Sequence, residues 1–252
     1  MLTIAGLGVY DKGDIPLNVV EAAEEADEIL AETYTNIYHS SLKELEEVLY
    51  RKIKPVKRND LEEGAAGIAG RSVDSNILVL VPGDPLSATT HTHLILEARK
   101  IQADYRVIHA SSIFTAVAET GLQLYKFGKT TTLAYPQENY EPTSPYDVIT
   151  DNQSLGLHTL ILLDVKMEED KYMSVNEALR VLLKMEKTKQ KGLFTEKTYI
   201  LACARLGADD SKVKYGKISG LKDKVFGDPP HCLVLPGELH FTEKEMLAYF
   251  QI

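Results

Sequence analysis

Residues 77–81 read Ile-Leu-Val-Leu-Val, and a strand that is apolar at every position has no face to give to solvent. Such a strand belongs at the centre of a sheet covered by helices on both sides, which is the habit of parallel sheets. The run ends at Pro82-Gly83-Asp84-Pro85, a turn that neither strand nor helix can continue through. Around it, β-type runs are expected at 2–7 (LTIAGL), 28–32 (EILAE) and 106–110 (RVIHA). Helical spacing falls between them: LNVVEAAEEAD behind Pro16 as a first-turn proline, SLKELEEVLY with Ser40 as its cap, and THLILEARKIQA. Strands alternating with helices imply parallel crossovers, so the first part of the chain is an open α/β layer.

Past residue 112 the pattern changes. TTTLAYP, HTLILLDV, TYILACARL and HCLVLPG read as longer strands, richer in β-branched and aromatic residues, with SVNEALRVLLKMEKTK and TEKEMLAYF as helices. The expected organisation is two α/β domains, 1–111 and 112–252, the first with a mainly parallel sheet and the second with a mixed one. No linker rich in Gly, Ser or Pro separates them.

With 252 residues, either arrangement buries most of the surface that the unfolded chain exposes. A formal net charge of -9 argues against a broad nucleic-acid surface, which needs clustered Lys and Arg. Cys203 and Cys232 sit in apolar runs and read as buried thiols, small hydrophobes of a reducing cytoplasm. The clean apolar runs are too short to span a bilayer, so no membrane role is expected.

Five turns are candidate sites. Gly6-Leu7-Gly8-Val9-Tyr10-Asp11 follows the first strand, where small residues admit a ligand to the backbone or simply make a tight turn. It is not a dinucleotide fingerprint, because the third glycine of that pattern falls on Asp11, and no phosphate loop with GxxxxGK occurs. Pro82 to Leu86 leaves the most buried strand, and its paired prolines hold Asp84 beside bare backbone groups. That suits either a ligand with hydroxyls and a positive centre or a rigid structural turn. In His109-Ala110-Ser111-Ser112-Ile113, Ser112 caps a helix or touches a ligand. Leu163-Asp164 and Gly227-Asp228-Pro229-Pro230-His231 repeat the theme of strand edge plus turn. His91 and His93, two apart on a helix, point in different directions, and no GxSxG elbow exists, so neither a metal nor a serine nucleophile is expected. The acidic segment EAAEEADE reads as a solvated helix face. Catalysis by positioning remains.

Taken in order, GLGVYD, PGDPLSATTH, HASSI, GLQLYKFGK, GLHTLILLD, FGDPPH and PGELH resemble the motifs of the archaeal diphthine synthase family across nearly the whole chain. YKFGK and GDPPH separate that family from relatives that methylate corrins and other tetrapyrroles, which share its two-domain fold and PGDP turn. The resemblance implies a homodimer of the tetrapyrrole methylase fold that holds S-adenosyl-L-methionine in a cleft between the two domains, releases S-adenosyl-L-homocysteine and needs no metal. Carried over position by position, it implies donor contacts from Val9, Asp84, Ser87, Ser112 and Ile113 in the first domain and from Leu163, Leu206 and His231 in the second, mostly through backbone groups and apolar contact. Val9 stands where the family often has leucine, Ser87 where valine is common and Ser111 where proline is usual.

The family reaction moves methyl groups to the amino group of the 3-amino-3-carboxypropyl arm on a histidine of translation elongation factor 2, up to a trimethylammonium. The sulfonium already carries the activation, so the protein supplies alignment and a deprotonated amine. For the base the residues offer solvent or His231. Two other readings stay open: a tetrapyrrole methylase of the same fold, and a non-catalytic sensor of an adenosine ligand.

Overall fold

The computed structural model describes residues 1–34, 37–136 and 143–252. The chain divides into two compact units, 1–116 and 117–252. In the first, β1 (Leu2–Gly6), α1 (Leu17–Glu25), β2 (Glu28–Glu32), α2 (Leu42–Leu49), β3 (Lys54–Val56), α3 (Arg58–Glu62), α4 (Ala65–Arg71), β4 (Ile77–Val81), α5 (Thr92–Lys100), β5 (Tyr105–Ile108) and α6 (Ile113–Ala116) follow in turn. The strands form one parallel sheet in the order β3-β2-β4-β1-β5.

The apolar run at 77–81 lies inside this sheet, between β2 and β1, with every residue buried. Its alternate side chains serve two apolar layers. Leu78 and Leu80 pack with Val19, Ala23, Leu45 and Leu49 on one face, and Ile77, Val79 and Val81 pack with Leu61, Ile68, Leu94 and Ala98 on the other. Each Leu, Ile or Val side chain removed from water here contributes about 1.5–3 kcal/mol. Ala5 is level with Leu80 on one side and Ile108 on the other, so β1, β4 and β5 end together. The chain leaving β1 heads toward the β3 edge and the chain leaving β4 toward the β5 edge. Connections that part in this way mark where open α/β sheets bind ligands.

The second unit holds β6 (Thr131–Leu133), α7 (Ser144–Ser154), β7 (Thr159–Leu163), β8 (Val165–Lys166), β9 (Lys171–Tyr172), α8 (Val175–Lys189), β10 (Tyr199–Ala204), β11 (Lys212–Lys217), α9 (Ile218–Leu221), β12 (His231–Leu235) and α10 (Phe241–Phe250). Its main sheet, ordered β11-β10-β12-β7-β6, is mixed: β6 and β7 run parallel and the other pairs antiparallel. Helix α8 starts from a reciprocal capping box between Ser174 and Glu177, and buries Val175, Ala178, Leu179, Leu182 and Met185, the stripe that helical spacing demands. Cys203 and Cys232 face each other across β10 and β12 as buried free thiols.

Two local expectations shift. Helix α2 is capped by Ser41, whose hydroxyl and Glu44 form the capping box, while Ser40 accepts the Lys12 amide at 2.9 Å. Pro16 is the N-cap of α1, one residue before the first turn. No helix among the described residues is long and apolar enough to cross a membrane.

Candidate functional site

The level ends of β1, β4 and β5 put three turns side by side, and the turns are bonded to one another. Gly8 and Gly83 exchange backbone hydrogen bonds of 3.3 and 2.8 Å. A side chain on Gly6 would place its Cβ 2.4 Å from the Gly83 carbonyl oxygen and 2.8 Å from the Ala110 Cβ, so only glycine lets the turns come this close. Gly8, at φ +92°, would drive a Cβ to 2.2 Å from that of Asp14. The room these glycines leave is thus taken by neighbouring turns. The Val9 amide donates to the Ser111 hydroxyl at 3.2 Å, a tie that a proline at 111 cannot make.

Asp84 is the hub. Its Oδ1 accepts the Leu86 amide and the Ser87 hydroxyl, both at 3.0 Å, and its Oδ2 meets His109 Nδ1 at 2.7 Å and the Ala110 amide at 3.4 Å. These four donors match the acceptor capacity of one carboxylate. Burial works to raise the Asp84 pKa, but the bonds from Leu86, His109 and Ser87 outweigh it and hold the carboxyl below its usual range. Ser87 is thereby turned inward to its own turn. Ser112, 5% exposed, accepts the Phe114 amide at 3.3 Å on its hydroxyl and donates its own amide to Thr115 Oγ1 at 3.0 Å, so it caps α6, which begins with half-buried Ile113. Val9, Asp84, Ser87, Ser112 and Ile113 therefore belong to one interlocked group of turns at the carboxyl end of the parallel sheet.

In the second unit, Leu163 closes β7 and His231 opens β12, one step beyond the Leu162–Cys232 pair, while Ala204 on β10 is the cross-strand partner of His231. Leu163 and Leu206 are buried. His231 Nδ1 accepts the Val175 amide at 3.3 Å, so the ring proton sits on Nε2, a buried atom with no hydrogen-bond partner among the described residues. Burial, and then the Arg205 charge, lowers the His231 pKa. A neutral ring whose lone pair is engaged donates and does not accept, which counts against His231 as the base. Leu163, Leu206 and His231 thus lie at one end of the strands β7, β10 and β12.

Sequence reasoning missed the brace at that end. Arg205, 4% exposed and at φ +52°, donates from Nε to both Asp210 oxygens at 2.9 and 3.0 Å and from Nη1 to the carbonyls of Phe226 and Asp228. It fastens the loop after Leu206 to the loop before His231. An arginine closing an apolar run was the available signal. Missed too was the contact of His109 with Asp84, two groups at the ends of strands that have β1 between them. Among the described residues no group of three or more His, Cys, Asp or Glu is placed to hold a metal ion.

The profile of the family Tetrapyrrole (Corrin/Porphyrin) Methylases matches residues 1–222. The chain is 44% identical over 252 residues to the diphthine synthase of Methanocaldococcus jannaschii, covering 99% of this chain and 98% of that protein. It is 42% identical to the diphthine synthase of Methanococcus vannielii, covering 99% and 98%. A solved structure described as a crystal structure of diphthine synthase superimposes with a TM-score of 0.90 at 36% identity, covering 99% of this chain and 95% of that one.

Proposed function

Since the chain belongs to the tetrapyrrole methylase family and, within it, to the diphthine synthases, we propose that it methylates the amino group of a 3-amino-3-carboxypropyl-modified histidine on translation elongation factor 2. The family makes it an S-adenosylmethionine-dependent methyltransferase of diphthamide biosynthesis. Transfer continues up to three times, ending at the trimethylammonium of diphthine, and each transfer releases S-adenosyl-L-homocysteine. The enzyme acts in the cytoplasm as a homodimer.

The observation that carries this reading is the interlocked turn cluster at the level ends of β1, β4 and β5. It offers fixed backbone groups and a buried carboxylate where a parallel sheet binds its ligand. A donor with ribose hydroxyls and a sulfonium suits that combination. In this reading the donor contacts are Val9, Asp84, Ser87, Ser112 and Ile113, together with Leu163, Leu206 and His231. The Asp84 side chain is committed to its own turn, so it serves the donor by shaping the backbone of residues 83–87 and by placing a negative charge near the cationic sulfur. S-adenosylmethionine supplies the activated methyl group. The protein's part is to align donor and amine, which accounts for several kcal/mol, up to about 7–11 in ideal cases.

The test is to incubate the protein with methyl-labelled S-adenosylmethionine and elongation factor 2 carrying the unmethylated aminocarboxypropyl-histidine, and then to weigh the modified peptide. One to three added methyl groups confined to that histidine are expected. Donor binding without any gain in mass would sink the assignment.

A further inference from the structure

An alkyl amine at neutral pH keeps its nucleophilic lone pair tied up in an N–H bond, so a proton must leave before each methyl arrives. His231 is poorly suited to take it, because its lone pair already accepts the Val175 amide. His91, near the carboxyl end of the first sheet, is 3% exposed with its ring against Glu32. His109 differs from both. It stands at the end of β5 with its side chain 68% exposed, and its Nδ1 is 2.7 Å from Asp84 Oδ2.

The partner fixes the chemistry of that ring. An ionised carboxylate only accepts, so the Nδ1 atom is the donor, and a neutral imidazole protonated there carries its lone pair on Nε2. A carboxylate holding one face of an exposed imidazole is the arrangement by which hydrolases orient a histidine base. Here the carboxylate comes from the same turn that the donor reading relies on, so the exposed imidazole belongs to that same cluster of turns. We propose that His109 is the general base of the reaction, oriented by Asp84, and that its Nε2 removes a proton from the acceptor's ammonium nitrogen; this rests on the reading of the chain as an N-methyltransferase given above.

The step balances simply. The Nε2 lone pair takes the proton, leaving an imidazolium and a neutral amine. The amine lone pair forms the N–C bond to the methyl carbon while the C–S bond breaks, its electrons staying on sulfur to give the thioether. The exposed imidazolium returns its proton to water, and the methylated ammonium, while it still bears an N–H, re-enters the cycle. After the third methyl no N–H remains, so the sequence ends by itself.

The experiment compares the parent with His109→Ala and His109→Asn at saturating methyl-labelled donor, on elongation factor 2 bearing the unmethylated aminocarboxypropyl-histidine, with donor affinity measured in parallel. Asparagine keeps an N–H donor for Asp84 but has no basic nitrogen. Both variants are expected to transfer methyl about 10²–10³-fold more slowly while still binding donor, and added imidazole should restore part of the His109→Ala rate. Parental rates in His109→Asn would overturn the proposal, since a bond to Asp84 would then be all that matters. A loss that imidazole does not reverse would overturn it too. If the parent itself adds no methyl, the N-methyltransferase reading fails and this proposal falls with it, an outcome distinct from an active parent with active variants.

Discussion

His158 and Glu243 meet as a fully buried pair, Nε2 to Oε1 at 2.9 Å, although they stand far apart in the chain. The Gly237 amide donates to His158 Nδ1 at 2.9 Å, which places the ring proton on Nε2, where it reaches the carboxylate. Glu243 also takes Lys126 Nζ at 2.6 Å, the His240 amide at 2.7 Å and the Gln123 amide at 2.9 Å. One carboxylate thus joins the segments YKFGK, GLHT and PGELH within the second unit. Motifs that mark the family in sequence here act as internal ties.

Removing that charge leaves the buried His158 and the half-buried Lys126 without their carboxylate, although Lys126 keeps the Glu238 carbonyl, so Glu243→Gln is expected to destabilise the second unit by about 3 kcal/mol in denaturant unfolding. The pH dependence should change with it. Burial raises the Glu243 pKa, but Lys126 and the amides of Gln123 and His240 more than offset this and hold it at about 2. A depressed carboxyl contributes stability that is present above its unfolded pKa, about 4.3, and is lost as pH falls toward 2. The parent should therefore lose stability across that window and the Gln variant should lose less. Equal slopes in the two proteins would refute the assignment.

The sequence revealed the parallel layer because β4 is apolar at every position and can only be central. It concealed β11, an edge strand whose Lys212, Lys214 and Lys217 blunt its hydropathy, and α7, which is short of apolar residues and opens with a proline next to Ser144. At the site, the turns could be read as turns, since glycine and proline punctuate them. Their mutual bonding could not, because Gly6 against Gly83, Asp84 against His109 and Val9 against Ser111 are long-range contacts set by strand register. A one-residue shift of β1 against β4 would break the first of these.

That register makes two glycines unequal. Gly6→Ala sets a Cβ against the Gly83 carbonyl oxygen at 2.4 Å, and the short, rigid side chains of Ala110 and Pro85 at 2.8 and 3.0 Å leave no room for relief, so the Gly8–Gly83 bridge should open. Gly83 lies at φ +76° with the nearest atom to a new Cβ at 3.8 Å, so Gly83→Ala costs only the left-handed strain, about 1–2 kcal/mol. Calorimetry with S-adenosylhomocysteine should show Gly6→Ala weakened by about tenfold or more, a loss of roughly 1.4 kcal/mol, and Gly83→Ala by less. The reverse order would mean that the interlock does not shape the donor site.

Asp84→Asn turns an N–H toward the Ala110 amide and removes the charge that four donors share. A stability loss of about 1.5–3 kcal/mol and weaker donor binding are expected. Because the Asp84 pKa is lowered, its contribution is fully present above about pH 4 and fades only as pH falls through the depressed value. Parental donor affinity should accordingly be flat from pH 8 to 5 as far as this group is concerned. A variant that binds donor as tightly as the parent would end the electrostatic part of the Asp84 proposal.

Arg205→Lys keeps the charge and loses the fork. A lysine cannot span the Asp210 carboxylate and the carbonyls of Phe226 and Asp228 at once, so the change is not conservative at this position. The expected result is a loss of about 1.5–3 kcal/mol in unfolding free energy, the range for hydrogen bonds from a charged donor, and a donor KM that rises more than kcat falls. A double-mutant cycle with Asp210→Asn should show losses that do not add, since the two groups are in direct contact. Additive losses would mean that the bond does not brace the loops.

His231→Ala separates donor binding from proton removal. The ring's accepting nitrogen is occupied by Val175, and burial and the Arg205 charge both keep it neutral, so Nε2 has a proton to give and none to take. Its loss should appear in the donor's KM, by about tenfold for one lost contact worth roughly 1.4 kcal/mol. The rate at saturating donor should fall far less than the 10²-fold or so that removing a general base would cost. Steady-state kinetics over a range of donor concentrations decides the matter. A collapse of kcat with KM unchanged would return the base to His231 and require that its bond to the Val175 amide opens during turnover.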